Sequence, residues 1–154
     1  MVKINLVCVG KVKEKYFAEG IAEYAKRLKR FCDFTITETA EENVSRLSAA
    51  AISEREGKNI LPKLRGTVFA LAIEGKKYSS EDFARELKRL TDGGVGEITF
   101  VIGGSYGLSE EVKNKAAGLI SFSDMTFPHT LFRLMLTEQI YRAFCINAGT
   151  PYHK

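Results

Sequence analysis

The feature that most constrains the fold is a regular alternation of short apolar segments with longer segments of helical periodicity. The apolar segments are rich in β-branched residues and span residues 3–10, 34–40, 67–75, 97–104 and 119–125. They are apolar at nearly every position, as expected for strands that helices cover on both faces. Strands that alternate with helices in this way pair in parallel. The sequence therefore predicts a single α/β domain over residues 1–154, with a mostly parallel sheet and helices on both of its faces.

Capping residues indicate where the intervening helices begin. Apolar residues at three- and four-residue steps predict a first helix over residues 14–31. Thr39 and Glu42 have the spacing of a capping box, which predicts a second helix that ends before Pro62. The remaining helices are predicted to start after Ser79, after Ser109 and at about residue 131.

The composition is that of an ordinary globular protein with a small excess of positive charge. The 154 residues are 45% hydrophobic and 27% charged, and the net charge is +4. This charge favours a polyanionic partner. No apolar stretch is long enough to span a bilayer, so we expect a cytoplasmic protein without a membrane partner.

The three cysteines argue against a metal or disulfide framework. Cys8, Cys32 and Cys145 are odd in number and far apart, and no C-x-x-C pair occurs. Zinc sites and disulfide scaffolds require closer or paired spacings. We therefore expect three buried thiols in a reducing compartment, and no metal.

A glycine-rich segment, VIGGSYGLS (101–109), lies where a predicted strand passes into a helix. Glycines permit close approach of the backbone to a ligand, and the helix start offers free N–H groups. The dinucleotide fingerprint G-x-G-x-x-G is incomplete, because Ile102 stands at its first position. Asp124 lies where that motif requires an acid, but only thirty residues follow it. From this segment alone, a tight turn and a ligand site are equally supported.

A second unusual segment, FSDMTFPH (122–129), follows the fifth predicted strand. It mixes large apolar side chains with Ser123, Asp124 and Thr126. Apolar walls with a few polar groups are typical of a small-molecule pocket, and an adenine ring would suit such a site. The alternative is that Phe122 and Phe127 simply fill the core. The segment alone does not separate these two readings.

Candidate polar groups gather in the last quarter of the chain. His129 and His153 are the two histidines, and Arg142 lies on the last predicted helix four residues after Glu138, at the spacing of a surface ion pair. The chain ends in TPYHK, which is unlike a frayed terminus of small polar residues. This ending predicts that the tail packs against folded structure.

Basic residues are concentrated near the start of the chain. Two groups stand out, one being Lys11, Lys13 and Lys15 and the other Lys26, Arg27, Lys29 and Arg30. A solvated helix face is the ordinary explanation. Contact with phosphates is the functional explanation, because clustered cations bind a nucleic-acid backbone without reading its sequence.

Four segments together resemble the RlmH family of ribosomal RNA methyltransferases, which belongs to the SPOUT superfamily. They are FVIGGSYGLS, SFSDMTFPHTLFR, EQIYRAF and the terminal PYHK, and they occur in the family's order over essentially the whole chain. The resemblance implies a C-terminal trefoil knot, S-adenosylmethionine as methyl donor, and a homodimer with a composite active site. It also implies a substrate, a pseudouridine in large-subunit ribosomal RNA that is methylated at N3 within the assembled ribosome.

The resemblance also implies a set of site residues. The donor pocket would comprise Leu71, Gly103, Phe122, Ser123, Asp124, Met125, Thr126 and Phe127, with Asp124 contributing its backbone. Arg142 would stabilise the anion of the substrate base and His153 would take or relay its proton. Tyr152 would stack on the flipped base, as aromatic side chains do with unpaired bases, and His129 would shape the pocket wall.

Two other functions remain as alternatives. A nicotinamide-dependent oxidoreductase would use the segment Gly103–Gly107 and Asp124, but the missing first glycine and the short remaining chain argue against it. A non-catalytic ribosome-binding module would suit the charge and small size. That alternative leaves the apolar segment 122–127 unexplained.

Overall fold

The computed structural model describes residues 1–42 and 45–154, which form one five-stranded sheet with helices on both faces. Every strand pairs in parallel, and the order across the sheet is β2-β1-β4-β3-β5. The strands are β1 (Lys3–Val9), β2 (Asp33–Thr39), β3 (Thr67–Lys77), β4 (Glu97–Ile102) and β5 (Gly118–Ser121). The predicted α/β class is confirmed, and the sheet is entirely parallel.

The central strands are apolar at consecutive positions because both of their faces are covered. In β1, Leu6 and Cys8 face one hydrophobic cluster, whereas Val7 and Val9 face a second cluster on the opposite side of the sheet. All four side chains are almost fully buried. Successive side chains of a strand point to opposite faces, so a strand packed on both sides needs apolar residues at every position.

Five α-helices within the described residues cover the sheet. They are α1 (Lys15–Leu28), α2 (Ala49–Ile60), α3 (Ser80–Asp92), α4 (Glu110–Lys115) and α5 (His129–Ala148), and a short 3₁₀ helix, Leu61–Lys63, follows α2. α5 packs against both α1 and α3, and α2 packs against α4. α5 is the longest of these helices, and its residues Leu136 and Ile140 are fully buried.

The start of α2 corrects one sequence-based prediction. Thr39 is the last residue of β2, and its hydroxyl donates to the carbonyl oxygen of Cys8 at 3.3 Å. The helix begins only at Ala49, where the Ser48 hydroxyl accepts from the backbone N–H of Ala51 at 3.1 Å. The capping box predicted at Thr39 is therefore wrong, because the strand continues through that residue and Ser48 caps the helix instead.

The caps predicted for two later helices are confirmed. The Ser79 hydroxyl accepts the backbone N–H of Asp82 at 3.0 Å, at the start of α3. The Ser109 hydroxyl accepts the N–H of Val112 at 3.3 Å, at the start of α4. In both helices, a serine side chain thus satisfies an N–H of the first turn that has no partner within the helix.

The end of β5 corrects a second prediction. β5 stops at Ser121, so the strand predicted over residues 119–125 is four residues too long. Leu71 and Lys76 of β3 both pair with Ile120, and the residues between them bulge out of the ladder. A Cβ at Gly75 would lie 2.6 Å from the carbonyl carbon of Leu119, so only glycine permits the backbones of β3 and β5 to approach this closely.

The prediction of three buried thiols is confirmed. Cys8, Cys32 and Cys145 are free and buried. Within residues 1–42 and 45–154, no helix has the length and apolar character needed to cross a membrane. The C-terminal knot stays a prediction.

Candidate active site

A cavity of about 910 Å³ lies at the edge of the sheet where the carboxyl ends of the strands meet. Its wall combines residues 71–74, at the bulge of β3, with residues from the segments that follow β1, β2, β4 and β5. In parallel α/β sheets, ligands bind beyond the carboxyl ends of the strands, where the connecting loops diverge. The cavity is within the size range of small-molecule sites.

Most of the predicted pocket residues line this one cavity. The structure brings together Leu71, Gly103, Phe122, Ser123, Met125, Thr126, Phe127 and His129. Asp124 does not line the cavity, because its side chain is exposed and its Oδ1 lies 2.5 Å from Lys77 Nζ. The expectation that Asp124 contributes its backbone to the donor pocket stays a prediction.

The glycine-rich segment forms a tight turn that is also one wall of the cavity. The N–H of Gly107 donates to the carbonyl oxygen of Gly104 at 3.0 Å, and Gly107 has a φ of +80°. A Cβ at Gly103 would lie 2.7 Å from the carbonyl carbon of Gly107. The two readings of this segment are therefore compatible, since the tight turn is what brings its backbone to the cavity.

The apolar segment 122–127 both lines the cavity and packs on the core. Phe122 and Phe127 each meet the ring of Phe132 edge-on, at centroid distances of 5.7 and 5.2 Å. The Ser123 hydroxyl accepts the N–H of Met125 at 3.0 Å, and this bond fixes the turn. Edge-on packing on Phe132, which also lines the cavity, thus helps to hold the apolar wall in place.

Charged side chains that no sequence motif assigned to the site surround the mouth of the cavity. Lys11, Lys13 and Glu14 come from the segment after β1, and Glu41 comes from the segment after β2. A signal for the first group is present in the sequence, because Gly10 follows a buried strand, as Gly103 does after β4. The segment after β1 lies beside the segment after β4 because β1 and β4 are neighbours, and this becomes evident only from the strand order.

The C-terminal tail packs against its own chain, as its composition predicts. The ring of Tyr152 meets that of Tyr141 edge-on at 4.8 Å. Its hydroxyl lies 3.2 Å from Glu138 Oε1 and 3.2 Å from the hydroxyl of Tyr24. Burial is the main reason that the pKa of Tyr152 is raised, and the bond with Tyr24 adds to it.

Arg142 and His153 belong to the same cluster as Tyr152. Arg142 Nη1 lies 2.9 Å from His153 Nδ1, and His153 Nε2 lies 2.6 Å from Glu81 Oε1. A guanidinium only donates hydrogen bonds, so Nδ1 must accept and Nε2 must carry the proton. The ion pair of Arg142 with Glu138, predicted from their spacing, is present at 2.6 Å, and the hydrogen bond with Glu138 raises the pKa of Arg142.

The tail cluster (Tyr152, His153 and Arg142) is separate from the cavity of its own chain. None of the three residues lines it. A second cavity of about 530 Å³ lies between the two regions, lined by Phe122 on one side and by Tyr24 and Glu138 on the other. The structure therefore does not bring the predicted catalytic residues to the predicted donor pocket within one chain.

A buried carboxyl group behind the glycine turn is the least expected feature of this region. Glu56, on α2, is only 2% exposed, and its Oε2 accepts the N–H of Glu42 at 3.1 Å. A Cβ at Gly104 would lie 2.9 Å from Glu56 Oε1. Burial, more than the nearby Glu41 and Glu42, raises the pKa of Glu56.

No metal centre is indicated in the part of the chain that the structure describes, since no group of three or more histidine, cysteine or acidic residues is placed to hold an ion.

The sequence of this chain is similar to those of known methyltransferases over almost its whole length. Residues 2–153 match a family model described as "Predicted SPOUT methyltransferase". A protein of Streptococcus uberis described as "Ribosomal RNA large subunit methyltransferase H" is 53% identical over 158 residues, which cover 99% of each chain. A protein of Levilactobacillus brevis with the same description is 56% identical and covers 98% of this chain and 99% of its own.

Solved structures show a related fold at low sequence identity. A methylase family protein from Haemophilus influenzae superimposes with a TM-score of 0.55 at 14% identity, over 99% of this chain and 70% of its own. One from Neisseria gonorrhoeae gives a TM-score of 0.52 at 13% identity, over 99% and 95% of the two chains. At such identities the likeness concerns the fold alone.

Proposed function

The chain belongs to the SPOUT methyltransferase family, and from this premise we propose that it methylates N3 of a pseudouridine in large-subunit ribosomal RNA, with S-adenosylmethionine as donor and the assembled ribosome as substrate. The observation that carries the proposal is the cavity at the strand ends, in which eight of the predicted pocket and wall residues meet. Full-length similarity to relatives described as ribosomal RNA large subunit methyltransferases supports the choice of substrate.

The residues of the cavity fit an adenosyl cofactor. Leu71, Phe122 and Phe127 offer apolar surface to a purine ring, and the turn at Gly103 offers backbone polar groups. When bound, the donor supplies a methyl group already activated by a positively charged sulfur. The chain's own task is to hold donor and acceptor in line, which is chiefly an effect of proximity.

The acceptor nitrogen must also lose a proton, and the tail cluster offers the groups for this step. We assign stabilisation of the resulting anion to Arg142 and acceptance or relay of the proton to His153. The lone pair of His153 Nδ1 faces Arg142 in the tail conformation described above, so His153 accepts a proton only after this contact opens. Tyr152 and His129 are assigned to the substrate base, as a stacking surface and as part of the pocket wall.

A homodimer reconciles the two separate regions. The tail cluster does not line its own cavity, and the proposed reaction requires donor, base and cation together. A second subunit's tail placed over the cavity would complete the site. Such an arrangement is self-complementary, because each subunit offers one pocket and one tail to the other.

We assign RNA contact to the basic residues at the cavity mouth. Replacing Lys11 and Lys13 together with alanine is expected to weaken binding to ribosomes and to reduce the salt slope of the affinity by about 1 to 2. The reason is that each phosphate contact releases counterions. Binding measured over a range of salt concentrations tests this expectation.

The matched control for these lysines is the double replacement of Lys26 and Lys29, at the other end of α1 and about 20 Å away along the helix. We expect the control to leave both affinity and slope nearly unchanged. Equal effects of the two double variants would instead indicate that RNA contact extends from the segment before α1 to the far end of that helix.

Transfer of a labelled methyl group tests the proposed function directly. Ribosomes from a strain that lacks the protein should accept the label, whereas free ribosomal RNA should accept much less. No incorporation into ribosomes would favour the non-catalytic binding module. Binding of a nicotinamide cofactor in place of S-adenosylmethionine would favour the oxidoreductase.

A further inference from the structure

We propose that Glu56 makes the cavity prefer a positively charged methyl donor over its neutral product, an inference that rests on the proposed function. Methyl transfer converts the sulfonium of S-adenosylmethionine into the uncharged thioether of S-adenosylhomocysteine. The two molecules are otherwise alike, including their amino and carboxyl groups. A site that distinguishes them must therefore sense either the methyl group or the charge.

The position of Glu56 suits the second of these roles. Its carboxyl lies against Gly104, which is itself part of the cavity wall and has no side chain to separate them further. Because Glu56 is 2% exposed, water screens its charge far less than the charges of Lys11 or Glu41 at the cavity mouth. Glu56 touches no cavity surface itself, so it acts on the bound molecule through its field.

The hydrogen bond that holds Glu56 does not require a negative charge. The one hydrogen bond that Glu56 makes within the described residues is accepted from the N–H of Glu42, and a glutamine side-chain oxygen accepts the same bond. Burying a carboxylate is costly, whereas burying a neutral amide costs less. A titratable carboxyl at a position where a neutral amide accepts the same hydrogen bond points to a functional reason.

Glu56→Gln is therefore expected to raise stability, and the gain should depend on pH. The native pKa of Glu56 is raised above its unfolded value, so the native state binds this proton more tightly, and stability falls as pH rises from the unfolded pKa through the native one. Glu56→Gln has no carboxyl group at this position, so its stability does not fall with pH for this reason. We expect its Tm to exceed that of the wild type by about 2–4 °C at neutral pH and to match it in acid, as measured by thermal unfolding.

Calorimetric binding of S-adenosylmethionine and S-adenosylhomocysteine tests the selectivity. Glu56→Gln is expected to weaken binding of the donor about tenfold, equivalent to about 1.4 kcal/mol, and to leave binding of the product nearly unchanged. Glu56→Asp keeps the charge and should retain the preference. Glu54→Gln, an exposed change of equal charge on the same helix, is the control.

The ratio of the two affinities separates this role from a merely structural one. Equal weakening of both ligands in Glu56→Gln, or no change in either, would overturn the inference. Absence of binding of both ligands to the wild type would instead contradict the proposed function. If Glu56→Gln does not fold, the wild-type ratio measured over a series of decreasing pH values serves in its place and should fall as Glu56, flanked by Glu41 and Glu42, takes up its proton.

Discussion

Replacing Arg142 with alanine is expected to lower methyl transfer to ribosomes by about 10²–10³-fold, while the dissociation constant of S-adenosylmethionine changes little. The guanidinium is the cation assigned to the anionic base, so its loss acts on the transition state. Its assigned contact is with the substrate base, and the variant changes no residue that lines the donor cavity of either chain, so donor binding should be spared. Single-turnover rates and equilibrium binding measured on the same preparation test both parts.

Two further variants make the result specific. His153→Ala should also lower turnover with little effect on donor binding, and full activity on ribosomes would show that His153 is not the base. Arg89→Ala removes an exposed arginine that pairs with Glu86 on α3, so it controls for general loss of a helix-surface ion pair. Full turnover of Arg142→Ala would contradict its assigned role.

Mixed dimers test whether the site is shared between subunits. One subunit carries Arg142→Ala, and the other carries Gly103→Ala, whose Cβ would collide with the backbone of Gly107 and disturb the pocket. If tail and pocket come from different subunits, one of the two sites in each mixed dimer is intact. Mixing should then restore activity that neither variant has alone. No recovery would indicate that each chain uses its own tail.

Much of the fold follows from local sequence pattern, and the errors of that pattern have local causes. The strands are predictable because burial on both faces leaves a continuous apolar run. The pattern makes β5 too long because Phe122 and Met125 are as apolar as a strand, although they belong to the cavity wall. It places the start of α2 too early because Thr39 and Glu42 have the spacing of a cap, while the strand pairing of Thr39 with Val9 prevails.

The site is predictable only in part, because it depends on contacts between distant segments. Two strand ends, followed by the segments 101–109 and 122–129, attract attention through their unusual residues, and the structure brings these segments together. Glu56 gives no such signal, since a glutamate on a polar helix ordinarily faces solvent. Its burial follows from the position of the turn at Gly104, far later in the chain. The tail's contact with Tyr24 likewise joins opposite ends of the sequence.

Replacing Arg133 with methionine is expected to destabilise the protein by about 3 kcal/mol. Its guanidinium is 4% exposed, and Nη1 lies 2.5 Å from Glu38 Oε2 while Nη2 donates to the carbonyl oxygen of Gly10 at 3.0 Å. The variant leaves this carbonyl buried without its donor and Glu38 without its partner. Because Glu38 is 39% exposed, water stabilises it in part, which places the expected loss at the lower end for a broken buried pair.

The thiol of Cys8 replaces neither the donor that the Gly10 carbonyl loses nor the partner that Glu38 loses in Arg133→Met. Burial raises the pKa of Cys8 to about 12, so this side chain stays neutral beside Arg133. In thermal unfolding, a loss of about 3 kcal/mol corresponds to a decrease in Tm of about 6–12 °C for a chain of this size. Glu38→Gln keeps an acceptor oxygen for Arg133 and should cost less, and the double variant should cost less than the sum of the two single changes.

Arg133 also connects stability to the site, because Gly10 immediately precedes the segment that carries Lys11 and Lys13 to the cavity mouth. If the bond to Gly10 holds this segment in place, Arg133→Met should weaken ribosome binding even at temperatures where the variant is fully folded, whereas Glu38→Gln should not. A Tm within about 2 °C of the wild type would show that the buried pair adds little to the fold, since its desolvation would then offset its attraction.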